Sequence, residues 1–123
     1  MTEKERIGKL GEDLAARYLK EKEYQVLERN FKQLPWGEVD IIAKKKETLF
    51  FIEVKTVNAD NEEYLPENKI DYRKKRALYR IIQIYLQRKK LRLDINWQLD
   101  AVIIRINSER NKYTLKHLEN IFY

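Results

Sequence analysis

The chain has 123 residues, 43% hydrophobic and 37% charged, with a net charge of +6, a size that suits one domain over 1–123 and too small for two. It has no cysteine and a single histidine, which excludes a disulfide framework, a thiolate site and a conventional histidine-based metal centre or triad. No apolar run approaches the length of a membrane span, and the charged start at 1–6 leads straight into an amphipathic helix rather than a signal peptide, so a cytoplasmic protein with no membrane contact is expected.

Residues 3–22 read as a helix, because Ile7, Leu10, Leu14, Ala15, Tyr18 and Leu19 recur at helical spacing. Gly8 and Gly11 fall inside that apolar face, where missing side chains allow close packing. Glu12 falls at its edge, about 20° round from Leu19. A first strand is expected over 24–31 and a turn over 33–36, which contains Pro35. A second strand over 38–43, a polar connection at 44–47 and a third strand over 48–56 follow. Residues 57–68 are polar, contain Pro66, and read as a loop that could order on a nucleic acid. A long helix is expected over 70–90, with Ala77, Leu78, Ile81, Ile84 and Tyr85 inward. A fourth strand over 98–107, a turn to 111 and a short strand over 113–118 close the chain. The order αβββαββ implies an α/β fold: an antiparallel meander, then a crossover through the long helix to a parallel strand, with helices packed on the mixed sheet.

Two of these strands carry acids inside apolar runs, Gly37-Glu38-Val39-Asp40-Ile41-Ile42-Ala43 and Phe50-Phe51-Ile52-Glu53-Val54-Lys55. A buried carboxylate is costly unless a metal, a partner charge or hydrogen bonds compensate it. Side chains alternate along a strand, so pairing through the 44–47 connection can put Asp40 and Glu53 on one side near one end. Two carboxylates with a lysine suit a divalent-metal phosphodiesterase. Mg²⁺ or Mn²⁺ takes carboxylate oxygens and substrate phosphate, and Lys55 can orient the attacking water or neutralise developing charge. The short acid-x-Lys pattern also occurs at Glu67-Asn68-Lys69, but there in a polar stretch. The competing reading of Asp40, Glu53 and Lys55 is a buried ion-pair network without chemistry.

Charge is unevenly spread. Residues 69–92 hold ten basic residues and one acid, +9, while the remaining 16 basic and 19 acidic residues sum to −3. Such a basic element beside an acidic cluster fits a polyanion partner, DNA above all, with Arg73, Lys74 and Arg76 positioning the backbone. A solvated helix face is the plainer alternative. His117 reads as a capping or packing residue. Trp36 and Trp97 read as core or rim packing, with base stacking as the alternative.

These residues resemble the YraN family of small bacterial proteins, itself similar to a branch of the PD-(D/E)xK nuclease superfamily. The matching pieces are Gly8-Lys9-Leu10-Gly11-Glu12 with Ala15 and Ala16, Asn30-Phe31, residues 37–43, Phe51-Ile52-Glu53-Val54-Lys55-Thr56, the basic start of the second helix, Asp100-Ala101-Val102 and His117-Leu118-Glu119-Asn120-Ile121-Phe122. The resemblance implies a restriction-endonuclease-like fold. It implies Asp40 and Glu53 as metal ligands for Mg²⁺ or Mn²⁺ and Lys55 as the catalytic lysine, and Glu12 matches an acid that archaeal Holliday junction resolvases bring to the same site. Glu38 occupies a family position of less defined role, and Val57 stands where the family usually has arginine. The implied activity is a metal-dependent DNA endonuclease, selective for branched or otherwise structured DNA and serving repair, recombination or processing, with a homodimer as the assembly many superfamily members use. A catalytically inactive nucleic-acid-binding accessory protein on a nuclease fold is the alternative. A third reading is an interaction module whose basic helix meets an acidic protein.

Overall fold

A computed structural model describes residues 1–58, 71–92 and 94–121. The elements run α1 (Glu3–Glu21), β1 (Gln25–Gln33), β2 (Gly37–Lys45), β3 (Thr48–Asn58), α2 (Tyr72–Arg88), β4 (Asn96–Asn107) and β5 (Lys112–Leu118). They form one five-stranded sheet in the order β1-β2-β3-β4-β5, in which only the β3–β4 pair is parallel. This is the expected mixed α/β architecture, with α2 on the crossover between the parallel strands. The expected second acid-x-Lys match at 67–69, most of the 57–68 loop and the start of the long helix at Ile70 lie outside the described residues.

The two helices cover opposite faces, as the alternation of strand side chains requires. On one face Ala15, Ala16 and Leu19 of α1 pack with Ile41, Ile52, Val102 and Ile104. On the other, Leu78, Ile81, Ile82 and Tyr85 of α2 pack with Ile42, Phe51 and Leu99. Burying each such side chain contributes about 1.5–3 kcal/mol, so packing holds α2 despite its crowded cations. Both helices start at a capped turn: Thr2 Oγ1 accepts from the Glu5 N–H at 3.1 Å, and Asp71 Oδ1 from the Lys74 N–H at 2.9 Å.

Three local expectations need correction. Leu10 is 39% exposed, because the stripe facing the sheet runs through Gly11, Ala15 and Leu19, one residue round the helix. Of the two glycines placed on that face, only Gly11 meets the sheet; a Cβ on Gly8 would meet nothing. In α2 the buried stripe is Leu78, Ile81, Ile82 and Tyr85. Ile82 is therefore inward, while Ala77 and Ile84, seven residues apart on one flank, are half-buried.

The sheet opens between β2 and β3. Their pairing runs from Lys45 with Thr48 to Ile41 with Ile52 and ends there. Beyond this point β2 stays paired to β1 down to Gly37, and β3 to β4 up to Asn58. Asn30 of β1, with a φ of 54°, lies opposite Asp40 in the register and breaks the alternation. Ile41 faces the α1 cluster, yet Phe31 and Val39 join the α2 cluster. A fork thus forms at Asp40 and Glu53.

Gly11 lets α1 lie on the β3 branch of this fork. A Cβ there would come within 1.8 Å of Thr56 Oγ1 and 2.8 Å of Thr56 Cβ. Gly11→Ala should destabilise the protein by about 1–3 kcal/mol in urea denaturation. Thr56→Ala should recover part of that loss. A neutral Gly11→Ala would mean that α1 does not sit this close.

Candidate active site

Asp40 holds the fork together. Its Oδ2 accepts the Val54 N–H at 2.7 Å, taking the place of a backbone acceptor where the ladder stops. This sets its carboxylate beside Glu53, the residue before Val54. Both side chains are buried among apolar neighbours. Burial, then the charge of Glu53, pushes the Asp40 carboxyl up to about 8 against the opposing Val54 hydrogen bond, with smaller contributions from Glu12 and Glu38.

Glu53 receives two ammonium groups on one oxygen. Lys74 Nζ lies 2.6 Å and Lys55 Nζ 3.5 Å from Oε1. The other oxygen, Oε2, is buried with no hydrogen-bond partner. Burial first, and then the neighbouring Lys74, lowers the pKa of Lys55 against the attraction of Glu53. Burial opposes the charge of Lys74 too, but the hydrogen bond and the charge of Glu53 outweigh it and raise its pKa.

Glu12 approaches from α1 on the other side. Its Oε1 accepts from Asn30 Nδ2 at 2.9 Å and lies 3.7 Å from Arg29 Nη2, so the strand irregularity opposite Asp40 also orients this acid. Glu12 and Glu38 act on Asp40 through their charge, Lys55 and Lys74 meet Glu53, and Arg29 meets Glu12. Among the described residues, Glu53 Oε2 is the buried side-chain oxygen left without a hydrogen-bond partner. A hard divalent cation is one group that such oxygens accept; Asp40 and Glu53 would hold it, with Glu12, which meets Asn30 and Arg29, as the further ligand that the resemblance implies.

The basic start of α2 divides in two. Arg73 and Arg76 are exposed, as backbone-binding residues would be, whereas Lys74 turns inward onto Glu53. Its role in the fork was not legible as such, because four successive cations hide which one faces the sheet. Val57 is half-buried at the end of β3.

A second polar cluster lies on the α1 face of the sheet. Asp100, fully buried, accepts from Gln98 Nε2 at 2.8 Å and from the Asn120 N–H at 2.9 Å, both on Oδ1. His117 Nε2 lies 2.8 Å from Asp100 Oδ2, and Nδ1 lies 2.9 Å from the Tyr18 hydroxyl. The Nε2–H donates to Asp100 and Nδ1 meets the Tyr18 hydroxyl, roles assigned from the partners. Burial and the charges of Glu119 and Asp100 raise the Tyr18 pKa, which keeps its hydroxyl a donor. Asp100, His117 and Glu119 bring ligand atoms within 4.8 Å of one another. The Asp100 and His117 atoms are already engaged, so we read the cluster as a clasp tying the C-terminal segment to β4 and α1. This is the packing role expected of His117. Asp100 entered the sequence analysis only as part of a matching motif, although it meets the criterion that singled out Asp40 and Glu53: an acid within an apolar strand.

Two measurements check these assignments. Asp40, with its raised pKa, lends stability that is fully present below its ordinary 3.8 and is lost as pH rises through about 8. In EDTA the Tm of wild type relative to Asp40→Asn should therefore fall between pH 5 and 8.5. Mg²⁺ should raise the wild-type Tm by about 3 °C or more at pH 8.5, less at pH 6, and not at all in Asp40→Asn. An equal metal effect in both proteins would contradict the assignment. Asp100→Ala should cost about 3 kcal/mol in urea denaturation, because it strands several buried donors, and should leave the Mg²⁺-dependent Tm increment unchanged.

Residues 11–104 match the family described as "Uncharacterised protein family UPF0102". A UPF0102 protein of Clostridium acetobutylicum is 39% identical over 117 residues, covering 95% of this chain and 93% of its own. One of Clostridium botulinum is 36% identical over 119 residues, covering 94% and 93%. One of Alkaliphilus oremlandii is 36% identical over 117 residues, covering 95% and 97%. Since the match takes in both branches of the fork and nearly the whole of each relative, the chain belongs to the UPF0102 family, the YraN family that its motifs resemble.

Proposed function

We propose that this protein is a metal-dependent nuclease that hydrolyses phosphodiester bonds in DNA as a cytoplasmic enzyme. The observation that carries this reading is the orphaned Oε2 of Glu53 beside a second buried carboxylate. The two lysines meet only Oε1, and a bound Mg²⁺ or Mn²⁺ would give Oε2 a partner. The likeness of residues 37–43 and 51–56 to the PD-(D/E)xK superfamily supports it.

Asp40, Glu53 and Glu12 would hold the ion. When bound, it would acidify the attacking water and stabilise charge on the phosphoryl oxygens. Lys55, with its lowered pKa, would orient that water and offset charge in the transition state. Water gives up a proton to solvent as its oxygen forms the new bond to phosphorus, the bond to the leaving sugar oxygen breaks, and that oxygen takes up a proton from solvent. Lys74 would move from Glu53 towards the phosphate once the ion takes its place. Arg73 and Arg76 would track the backbone.

One observation favours the second reading, an inactive nucleic-acid-binding protein. The Lys74 ammonium already sits on Glu53 at 2.6 Å, as a permanent substitute for an ion would.

Cleavage decides between the two. A labelled four-way junction, a flap and a plain duplex should be cut in Mg²⁺ or Mn²⁺ and not in EDTA. Lys55→Ala and Glu53→Gln should each lower the rate at least about a hundredfold. Arg73→Ala with Arg76→Ala should weaken binding and flatten its salt dependence by about two in logarithmic slope. Metal-independent binding with no cleavage of any substrate would leave the accessory reading.

A further inference from the structure

The outer side of α2 carries an open groove of about 800 Å³ between the helix and the β1–β2 turn. Its lining combines rings and cations. Trp36 from the turn is 41% exposed, Tyr72 is 73% exposed, and Tyr79 is also largely exposed. The Arg80 guanidinium lies 4.8 Å from the Trp36 ring centroid, and that of Arg76 lies 5.8 Å from Tyr72. Lys75 adds a third cation, and among the described residues no acid lines the groove.

Exposed rings of this size mark a surface that binds something. Three cations line it, Lys75, Arg76 and Arg80, and they suit an anionic occupant. It must also offer flat apolar faces, to suit the rings. A single-stranded polynucleotide combines both, because its phosphates follow a basic track while its bases stack on aromatic side chains. Duplex DNA satisfies only the cations, since its bases are already stacked.

Two groove residues are close in sequence to fork residues. Lys75 follows Lys74, which grips Glu53. Trp36 precedes Asp40 by four residues, about 13 Å along an extended strand.

We propose that this groove binds the unpaired bases of a single-stranded segment and so gives the protein a preference for substrates with single-stranded arms. The proposal deepens the nucleic-acid reading above and rests on it.

Binding in EDTA separates the groove from the chemistry. The probes are a fluorescein-labelled oligothymidylate of about 15 nucleotides and a blunt duplex of equal length. Trp36→Ala and Tyr72→Ala should each weaken oligothymidylate binding about tenfold and change duplex binding less than about twofold. Trp36→Phe should retain most of the affinity. Both sites are exposed, so circular dichroism should be unchanged. Equal losses on both probes, or no loss on either, would overturn the proposal. A stable homodimer dissolved by Trp36→Ala would overturn it too, because a second copy would then fill the groove. A parallel cleavage assay on a flapped duplex in Mg²⁺ keeps the two readings distinct. Trp36-dependent binding without cleavage would uphold the groove and contradict the nuclease, and cleavage indifferent to Trp36 would do the reverse.

Discussion

The bond from the Val54 N–H to the Asp40 carboxylate is the contact on which the rest of the arrangement depends. A backbone donor at the end of a ladder needs an acceptor, and here a side chain supplies it. The two strands can then part without stranding a buried N–H. The cost is a carboxylate held in an apolar setting beside a second one, which lifts the Asp40 pKa to about 8. A structural ion pair would be expected to use its oxygens fully. Glu53 instead has two ammonium groups near Oε1 and none on Oε2.

The surrounding elements follow from that fork. α1 lies close on β3 because Gly11 has no side chain to meet Thr56, and this brings Glu12 to the open side. α2 follows β3 as the crossover, so its first turn passes over the same opening and delivers Lys74. The same helix, from Tyr72 to Arg80, also carries cations and rings of the outer groove. One helix therefore serves the carboxylates with its inner edge and, on the reading proposed, the polynucleotide with its outer one. The clasp of Asp100, His117 and Tyr18 fixes β4, β5 and α1 together on the face away from α2.

Period-2 patterning and acids inside apolar runs made the sheet, the crossover and the carboxylate pair legible from sequence. The 44–47 connection sets a register that leaves Asp40 opposite Glu53 once pairing ends at Ile41. Lys74 was hidden among like neighbours, because helical phase within a run of four cations depends on where the helix docks. Asn30 was hidden because a φ of 54° is set by the path of the backbone, not by asparagine alone. Asp100 could have been found by the reasoning applied to Asp40. The groove required three-dimensional contact between Trp36 and Arg80, 44 positions apart in sequence.

The central claim is that Asp40 and Glu53 are buried together in order to hold a divalent cation. Electron paramagnetic resonance during Mn²⁺ titration tests it directly, on wild type and on Glu53→Gln, with no nucleic acid present. The account predicts saturable, stoichiometric Mn²⁺ binding by wild type that is lost in the variant. Equal, unsaturable binding by both proteins would contradict it.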